Sequence, residues 1–314
     1  MGARGRAWPG AGGSLVSKVP EVTLLFWVAK LLTTGMGETT WDWMEAAIGA
    51  GAAVAISGLG FVAALVAQFV SRAYNAWIYW FAIVMVSVFG TTVADSVHND
   101  FGVPYVASTW VLVAVVAAVL GAWYRVEGTL SIHSIHTRRR EGFYWATVLS
   151  TFALGTAAGD WTASSLHLGY APSGFVFLAA FLLPALAYWR FGLNPILGFW
   201  LSYIMTRPLG ASFADYLGGP RGRGGIALGM GPVSLVLTLI IVAVVAYLAI
   251  TKTDQQPPHT TNTNTSTSNT MRLDRRRAVD SDTTTRIDTG DATTTAGPAS
   301  TPGGLTADPT RRRS

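Results

Sequence analysis

The sequence contains no cysteine, and only 12% of its 314 residues are charged. The absence of cysteine excludes disulfides, thiolate metal ligands and cysteine nucleophiles, so any chemistry must come from oxygen and imidazole groups. Half of the residues are hydrophobic, and the mean hydropathy is positive. This composition is typical of a membrane protein. The net charge of +5 is modest and belongs largely to loops and tails. It therefore gives no support to nucleic-acid binding.

Eight segments are nearly free of charge, and each is long enough to cross a bilayer, because roughly 20 helical residues span the hydrocarbon core. They predict an all-α, polytopic membrane bundle within residues 20–250. The segments cover about 22–41, 46–70, 74–94, 105–124, 142–159, 171–189, 193–214 and 226–250. Residues 1–19 are rich in Gly, Ala and Arg without an apolar core, so they do not resemble a cleavable signal peptide. We expect them to form a cytoplasmic N-terminal tail.

The distribution of basic residues predicts the orientation in the membrane. On one side the loops hold only Arg221 and Arg223. The opposite side holds Arg4, Arg6, Lys18, Arg72, Arg125, Arg138, Arg139, Arg140, Arg190 and Lys252. Because cytoplasmic loops carry the excess of Lys and Arg, both termini are predicted to be cytoplasmic. The motif "RRRE" before the fifth helix is then a topology anchor.

The C-terminal segment, residues 251–314, is dominated by Thr, Asn, Ser, Pro and Asp and has no aromatic residue. Such a composition cannot bury enough apolar surface to offset the entropy of ordering, so we expect a disordered cytoplasmic tail. Its clusters "RLDRRR" and "RRRS" could contact anionic lipid headgroups. The interspersed aspartates favour a solvated tail instead.

An internal repeat marks the odd-numbered helices. A tryptophan is followed by glycine ten residues later and by aspartate five residues after that. The four copies are Trp27, Gly37, Asp42; Trp80, Gly90, Asp95; Trp145, Gly155, Asp160; and Trp200, Gly210, Asp215. They predict four tandem helical hairpins at about residues 20–72, 73–125, 138–190 and 193–250. Because each copy has two helices, all copies enter the membrane in one direction, and their pseudo-symmetry axis should follow the membrane normal.

Helix geometry gives the three repeated positions different roles. Tryptophan and aspartate lie on a shared face, separated by about 22 Å of rise. The tryptophan suits either an interfacial belt or packing inside the bundle. The glycine, which faces elsewhere, allows another helix to approach closely. One aspartate could simply reach the headgroups from a helix end, but four on a shared face favour a ring around the bundle axis.

Three further ionisable residues break the repeat. Glu38 lies one turn before Asp42, where the other copies have Thr91, Thr156 and Ala211. Arg207, directly before Pro208, lies deep enough that we expect it to pair with Glu38 or Asp215 or to bind an anionic substrate. Lys30 lies about one turn from the inner boundary, and snorkelling towards that boundary is the favoured interpretation.

Hydroxyl groups accompany these charges, and they could bind a solute or, more commonly, bond back to their own helix. They belong to Thr33, Ser87, Thr151 and Thr206. The even-numbered helices have no comparable chemistry and are predicted to form a scaffold. The second contains small residues four apart, as close helix packing requires, at Ala47, Gly51 and Ala55.

Metal binding and catalysis receive little support from motifs. His98 and His167 are weak candidate metal ligands near the predicted outer surface, because their spacing matches no known ligand pattern. No phosphate-binding loop, hydrolase elbow, zinc-protease helix or kinase signature is present. The sequence therefore indicates no cofactor, and nothing favours an enzyme.

A resemblance to a known family lies in four stretches of the sequence, "KVPEVTLLFWVAKLLTTGMGE", "TLSIHSI", "FALGTAAGD" and "YIMTRPLGASFAD". The chain resembles, over about residues 18–250, a family of bacterial membrane proteins made of four tandem two-helix repeats, each marked by a tryptophan. The resemblance implies eight helices and a location in the bacterial inner membrane. It implies no activity and supplies no catalytic residue.

Two functions fit these features. The leading hypothesis is a secondary transporter or exporter of a cation or small polar solute. Its pathway would be an outer vestibule lined by Glu38 and the four repeat aspartates, with Arg207 and Lys30 nearby. The alternative is a non-transporting membrane scaffold or sensor, in which the carboxylates bond between helices and the cytoplasmic tail recruits partners.

Overall fold

The structure is a computed structural model that describes residues 17–99 and 101–255. Within these residues it contains eight α-helices and no strand, which confirms the all-α prediction. The helices are α1 (Leu24–Ile48), α2 (Ala50–Val70), α3 (Ala76–Asn99), α4 (Tyr105–Glu127), α5 (Arg138–Asp160), α6 (Tyr170–Phe191), α7 (Pro195–Gly218) and α8 (Met230–Thr251). Most of the predicted N-terminal tail, residues 1–16, and most of the predicted disordered tail, residues 256–314, lie outside the described residues.

Five of the helices are long and apolar enough to cross a membrane, namely α2, α3, α4, α6 and α8. The other three, α1, α5 and α7, are equally long but carry ionisable residues within or beside their apolar stretches. A polar residue is tolerated in a membrane helix that is surrounded by other helices rather than by lipid. The chain is therefore a multi-pass membrane protein whose most polar helices require an enclosed position.

The odd-numbered helices occupy that position. α1, α3, α5 and α7 form a ring in which each helix packs against the next and α7 packs against α1. The even-numbered helices lie outside this ring. Each packs chiefly on the odd helix that follows it, α2 on α3, α4 on α5 and α6 on α7, while α8 returns to α1. Accordingly 61% of the apolar stretch of α3 is buried, against 22% in both α2 and α4.

The repeated glycines lie at the four contacts within the ring. A Cβ atom added to Gly37 would strike Ser87 of α3, one added to Gly90 would meet Phe152 of α5, and one added to Gly155 would strike Arg207 of α7. A Cβ atom on Gly210 would strike Thr34 of α1, which closes the circle. The residue met is always the one seven positions after its own repeat tryptophan. The glycines therefore allow close helix contact, as predicted, and they do so in cyclic order.

A layer of aromatic side chains closes one end of the ring, which we call the tryptophan end. An aromatic residue precedes every repeat tryptophan and contacts the tryptophan of the neighbouring repeat. The ring centroids are 5.8 Å apart for Phe26 and Trp80, 5.8 Å for Tyr79 and Trp145, 6.4 Å for Tyr144 and Trp200, and 5.7 Å for Phe199 and Trp27. Because the N-terminal ends of all four helices meet here, these helices run parallel.

The burial of the tryptophans decides between the two roles open to them. Trp80, Trp145 and Trp200 are buried, and Trp27 is half-buried. An interfacial belt residue would point its ring outward to the headgroups, so packing inside the bundle is the role that the structure supports. The hydroxyl oxygens of Tyr79 and Tyr144 lie 2.5 Å apart within the same layer.

The small-residue stripe predicted to pack α2 is wrong. Ala47 belongs to α1 and not to α2, all three residues of the stripe are exposed, and a Cβ atom on Gly51 would meet nothing within 4 Å. The buried positions of α2 are Ala53, Ser57, Ala64 and Gln68. A spacing of four residues identifies one side of a helix, but it does not tell whether that side faces protein or lipid. Ser57 instead bonds to Thr92 of α3 at 3.2 Å.

The segments that flank the helical core are joined at the tryptophan end. Lys18 forms a buried ion pair of 2.7 Å with Glu141, the last residue of the "RRRE" motif. The amide of Glu21 donates a 2.8 Å hydrogen bond to the carbonyl of Asp254, and Tyr74 donates to the Asp254 carboxylate. Burial raises the pKa of Asp254. Residues at both ends of the helical domain are thus fixed to its core.

Candidate functional site

Arg207 lies at the centre of the ring and contacts the three other odd helices. Its side chain is only 1% exposed. The guanidinium donates to the Glu38 carboxylate of α1 at 2.5 Å and to the Thr156 hydroxyl of α5 at 2.9 Å. It also donates to the Thr91 hydroxyl of α3 and to the Thr34 carbonyl of α1. One side chain therefore joins all four helices across the axis.

The repeat explains why these groups lie at one level. Glu38, Thr91 and Thr156 occupy equivalent positions, and Ala211 is the fourth member of the set. The stem of Arg207 passes over Gly155, where no side chain obstructs it. Of the two partners predicted for Arg207, Glu38 forms the ion pair. Thr91 and Thr156 complete the network. Their role was not predicted, although their positions, equivalent to that of Glu38, could have indicated it.

Carboxylates converge at the opposite end of the ring, which we call the carboxylate end. One carboxylate oxygen each from Glu38, Asp160 and Asp215 lies within 4.8 Å of the other two. Asp215 is 8% exposed, and its buried Oδ1 atom has no hydrogen-bond partner among the described residues. Asp42 and Asp95 are half-buried at the same end and lie within electrostatic range of Glu38.

Lys30 does not snorkel, so the favoured interpretation of this residue is wrong. Its side chain is buried, and its Nζ atom lies 3.7 Å from the Phe152 ring centroid and 4.0 Å from that of Tyr203. Snorkelling requires open space towards the boundary, and the aromatic layer fills that space. Cation–π attraction stabilises the ammonium group instead. Its Nζ atom has no hydrogen-bond partner among the described residues.

Three stretches of the chain, residues 78–129, 143–193 and 198–254, match the "Repeat of Unknown Function (DUF347)" family. Together they cover about half of the sequence. The chain belongs to this family. Each matched DUF347 repeat contains most of an odd helix and the even helix that follows it. No curated protein and no solved structure matches the chain.

The first two-helix unit, α1 and α2, lies outside the three matched DUF347 repeats. It nevertheless has the Trp27, Gly37 and Asp42 spacing, and α1 takes the fourth place in the ring. This unit supplies Lys30 and Glu38, which the three matched repeats replace with other residues. The unmatched copy therefore supplies Glu38 and Lys30, while Arg207 belongs to the last matched repeat.

The hydroxyl groups of the repeats bond mainly to their own helices. Thr33 donates to the Lys30 carbonyl at 2.8 Å, Thr151 to the Val148 carbonyl at 2.7 Å and Thr206 to the Tyr203 carbonyl at 2.6 Å. This was the commoner of the two fates considered for them. Ser87 lies against Gly37 at a contact within the ring.

The two histidines proposed as weak metal ligands stand apart from the carboxylate group. The Nδ1 atom of His98 lies 2.8 Å from the Val103 carbonyl, and its ring stacks on Tyr105 with centroids 3.6 Å apart. His167 lies between α5 and α6 with a positive φ of 54°. Neither belongs to the group formed by Glu38, Asp160 and Asp215.

Proposed function

We propose that this protein is a secondary transporter for a cation, which passes along the axis of the four-helix ring. The observation that carries the proposal is the convergence of Glu38, Asp160 and Asp215 on one point of that axis. Carboxylates inside a membrane bundle are costly, and where they occur they commonly mark ion or proton pathways. Asp42 and Asp95, half-buried at the same end, extend this acidic lining outward.

Two layers lie between the carboxylates and the tryptophan end, and together they would close the axis to ions. The Arg207 network spans the ring, and the aromatic layer closes the tryptophan end. Lys30 adds a second buried basic side chain, whose protonated form repels a cation in the same part of the axis. Transport then requires the Glu38–Arg207 pair to separate, so that the cation competes with Arg207 for Glu38.

We place the tryptophan end at the cytoplasmic side of a bacterial inner membrane. The basic residues that favour this orientation include Arg139 and Arg140, near the start of α5. An impermeant maleimide tests it, because the chain has no cysteine of its own. A single cysteine at Arg221 should react in intact cells, and one at Ser134 should react only after lysis. The reverse pattern contradicts the orientation.

Cation flux into proteoliposomes tests the proposed activity. We expect the wild-type chain to carry at least one of H⁺, Na⁺, K⁺, Mg²⁺ and Mn²⁺ faster than empty liposomes. Asp160→Asn should reduce this flux at least about tenfold, because it removes one of the three carboxylates that would bind the cation. The matched control is Glu21→Gln, which neutralises an exposed carboxylate paired with His133 outside the ring. It should leave the flux unchanged.

Two outcomes contradict the proposal. One is the absence of flux for every cation from folded protein, and the other is equal flux from wild type and Asp160→Asn. Either result favours the alternative, a membrane scaffold or sensor in which the carboxylates and Arg207 only hold the four helices together.

A further inference from the structure

We infer that Glu38, Asp160 and Asp215 form a binding site for one hard divalent cation of the Mg²⁺, Mn²⁺ or Ca²⁺ class. The inference rests on the proposed function and names the substrate class of the same site. Each residue comes from a different helix of the ring, α1, α5 and α7, and one oxygen of each lies within 4.8 Å of the others. Oxygens on one small ion are separated by distances up to about this value, given metal–oxygen distances of roughly 2.0–2.6 Å.

A second observation, independent of the clustering, points to a ligand. Only 8% of Asp215 is exposed, and its Oδ1 atom has no hydrogen-bond partner among the described residues. A buried carboxylate oxygen without a partner is unfavourable, because it has lost water and gained nothing in exchange. A cation held between the three carboxylates supplies the missing interaction.

The charges of the axis leave room for a divalent ion. Glu38, Glu45 and the four repeat aspartates lie at this end, and Arg207 is buried beside them. If every group is ionised, the set is negative, and an ion of charge +2 does not reverse its sign. Glu38 uses its Oε2 atom to pair with Arg207, which leaves its other carboxylate oxygen for the ion.

The donor set determines the class of ion. All three ligands are carboxylates, and carboxylate oxygens suit Mg²⁺, Ca²⁺ and Mn²⁺. Ions that favour sulfur find no thiolate, because the chain lacks cysteine. The two outlying histidines, His98 and His167, do not join the group, so imidazole ligation of Zn²⁺ or Cu²⁺ is not provided by this cluster.

Titration of the purified full-length protein with Mn²⁺ tests the site, since bound Mn²⁺ loses the sharp electron paramagnetic resonance signal of the free ion. We expect one saturable site per chain, from which Mg²⁺ or Ca²⁺ displaces Mn²⁺. Asp215→Asn and Asp160→Asn should each weaken binding at least about tenfold, because even outer partners of a metal site contribute that much. The matched control is Asp95→Asn, which removes the same charge at the same end but no ligand. It should weaken binding clearly less than Asp160→Asn does, because it lowers the local negative charge but removes no ligand.

Two results would overturn the inference. One is the lack of a saturable Mn²⁺ site in the wild type. The other is an equal loss of affinity in the Asp95 and Asp160 variants, which would indicate a diffuse acidic surface. Asp160→Asn serves as the second variant if Asp215→Asn does not fold. If Mn²⁺ binds but no cation is transported, the binding site stands and the transport proposal is wrong. If a cation is transported but no 1:1 site is found, the transport proposal stands and the binding site is wrong.

Discussion

Single residues break the fourfold pattern where the axis becomes polar. Positions that face between neighbouring helices keep their residue type, as the four glycines show. The repeat aspartates are also kept, but three ionisable residues near the axis are not repeated: Glu38 and Lys30 belong to one repeat, and Arg207 belongs to another. Four copies of Arg207 or of Lys30 would place like charges together inside the bundle, and such repulsion is costly inside a membrane. Asymmetry permits one buried ion pair instead.

Removing either member of that pair should destabilise the protein strongly. Arg207→Met leaves Glu38 without its counterion, and we expect a loss of about 3–5 kcal/mol in the free energy of unfolding. Glu38→Gln should cost a similar amount by leaving the guanidinium unpaired. The double variant should lose clearly less than the sum of the two, which equilibrium unfolding in detergent can measure. Strictly additive losses would show that the two side chains are not coupled.

The repeat glycines should tolerate no added methyl group. In Gly155→Ala the new Cβ atom would lie 2.5 Å from Arg207 Cβ and 2.9 Å from Pro208 Cδ. Such overpacking costs about 1–3 kcal/mol, so the unfolding midpoint should fall. The control is Gly142→Ala in the same helix, where nothing lies within 4 Å. Alanine there should stabilise the helix by about 0.5–1 kcal/mol. A shift of the same sign in both variants would contradict the ring contact.

At the scale of helices, the two helices of one repeat are not each other's main packing partners. Each even helix reaches forward to the next odd helix, and α8 returns to α1. The connections therefore tie each repeat to its neighbour. The contact between α1 and α8 brings the first and last helices together, with the hydroxyls of Thr40 and Ser234 2.6 Å apart.

Engineered cysteine pairs test this arrangement on a chain that has no cysteine of its own. The pair Thr40→Cys and Ser234→Cys should oxidise readily to an intramolecular disulfide, because the side chains already touch. Ser57→Cys with Thr92→Cys should do the same between α2 and α3. Loss of free thiols under mild oxidation is the measurement, and each single-cysteine variant should keep its thiol. If the Thr40 and Ser234 pair keeps both thiols in folded protein, α8 does not close onto α1.

At the scale of the whole molecule, the helices and their repeats were predictable from the sequence, because hydropathy and residue spacing depend only on nearby residues of the chain. Glu38 was one of the two carboxylate partners predicted for Arg207, since a buried charge at that depth requires a partner. The order of packing was not predictable, because both faces of an even helix are apolar and only tertiary contact separates them. For the same reason Ala47, Gly51 and Ala55 were predicted to pack against another helix, although they are exposed. The prediction for Lys30 was wrong because the rings that enclose its Nζ atom, Phe152 and Tyr203, belong to α5 and α7, which are distant in sequence.

The central claim is that the acidic side chains of separate repeats meet on one axis. The most direct measurement is cross-linking of Asp160→Cys with Asp215→Cys by a short bismaleimide in folded protein. We predict nearly complete loss of both thiols as one intramolecular bridge, since these carboxylates lie within 4.8 Å of each other. Asp215→Cys paired with Glu127→Cys is the control, because Glu127 ends α4 towards the tryptophan end. Equal and low cross-linking of both pairs would mean that the acids diverge, and it would contradict the account.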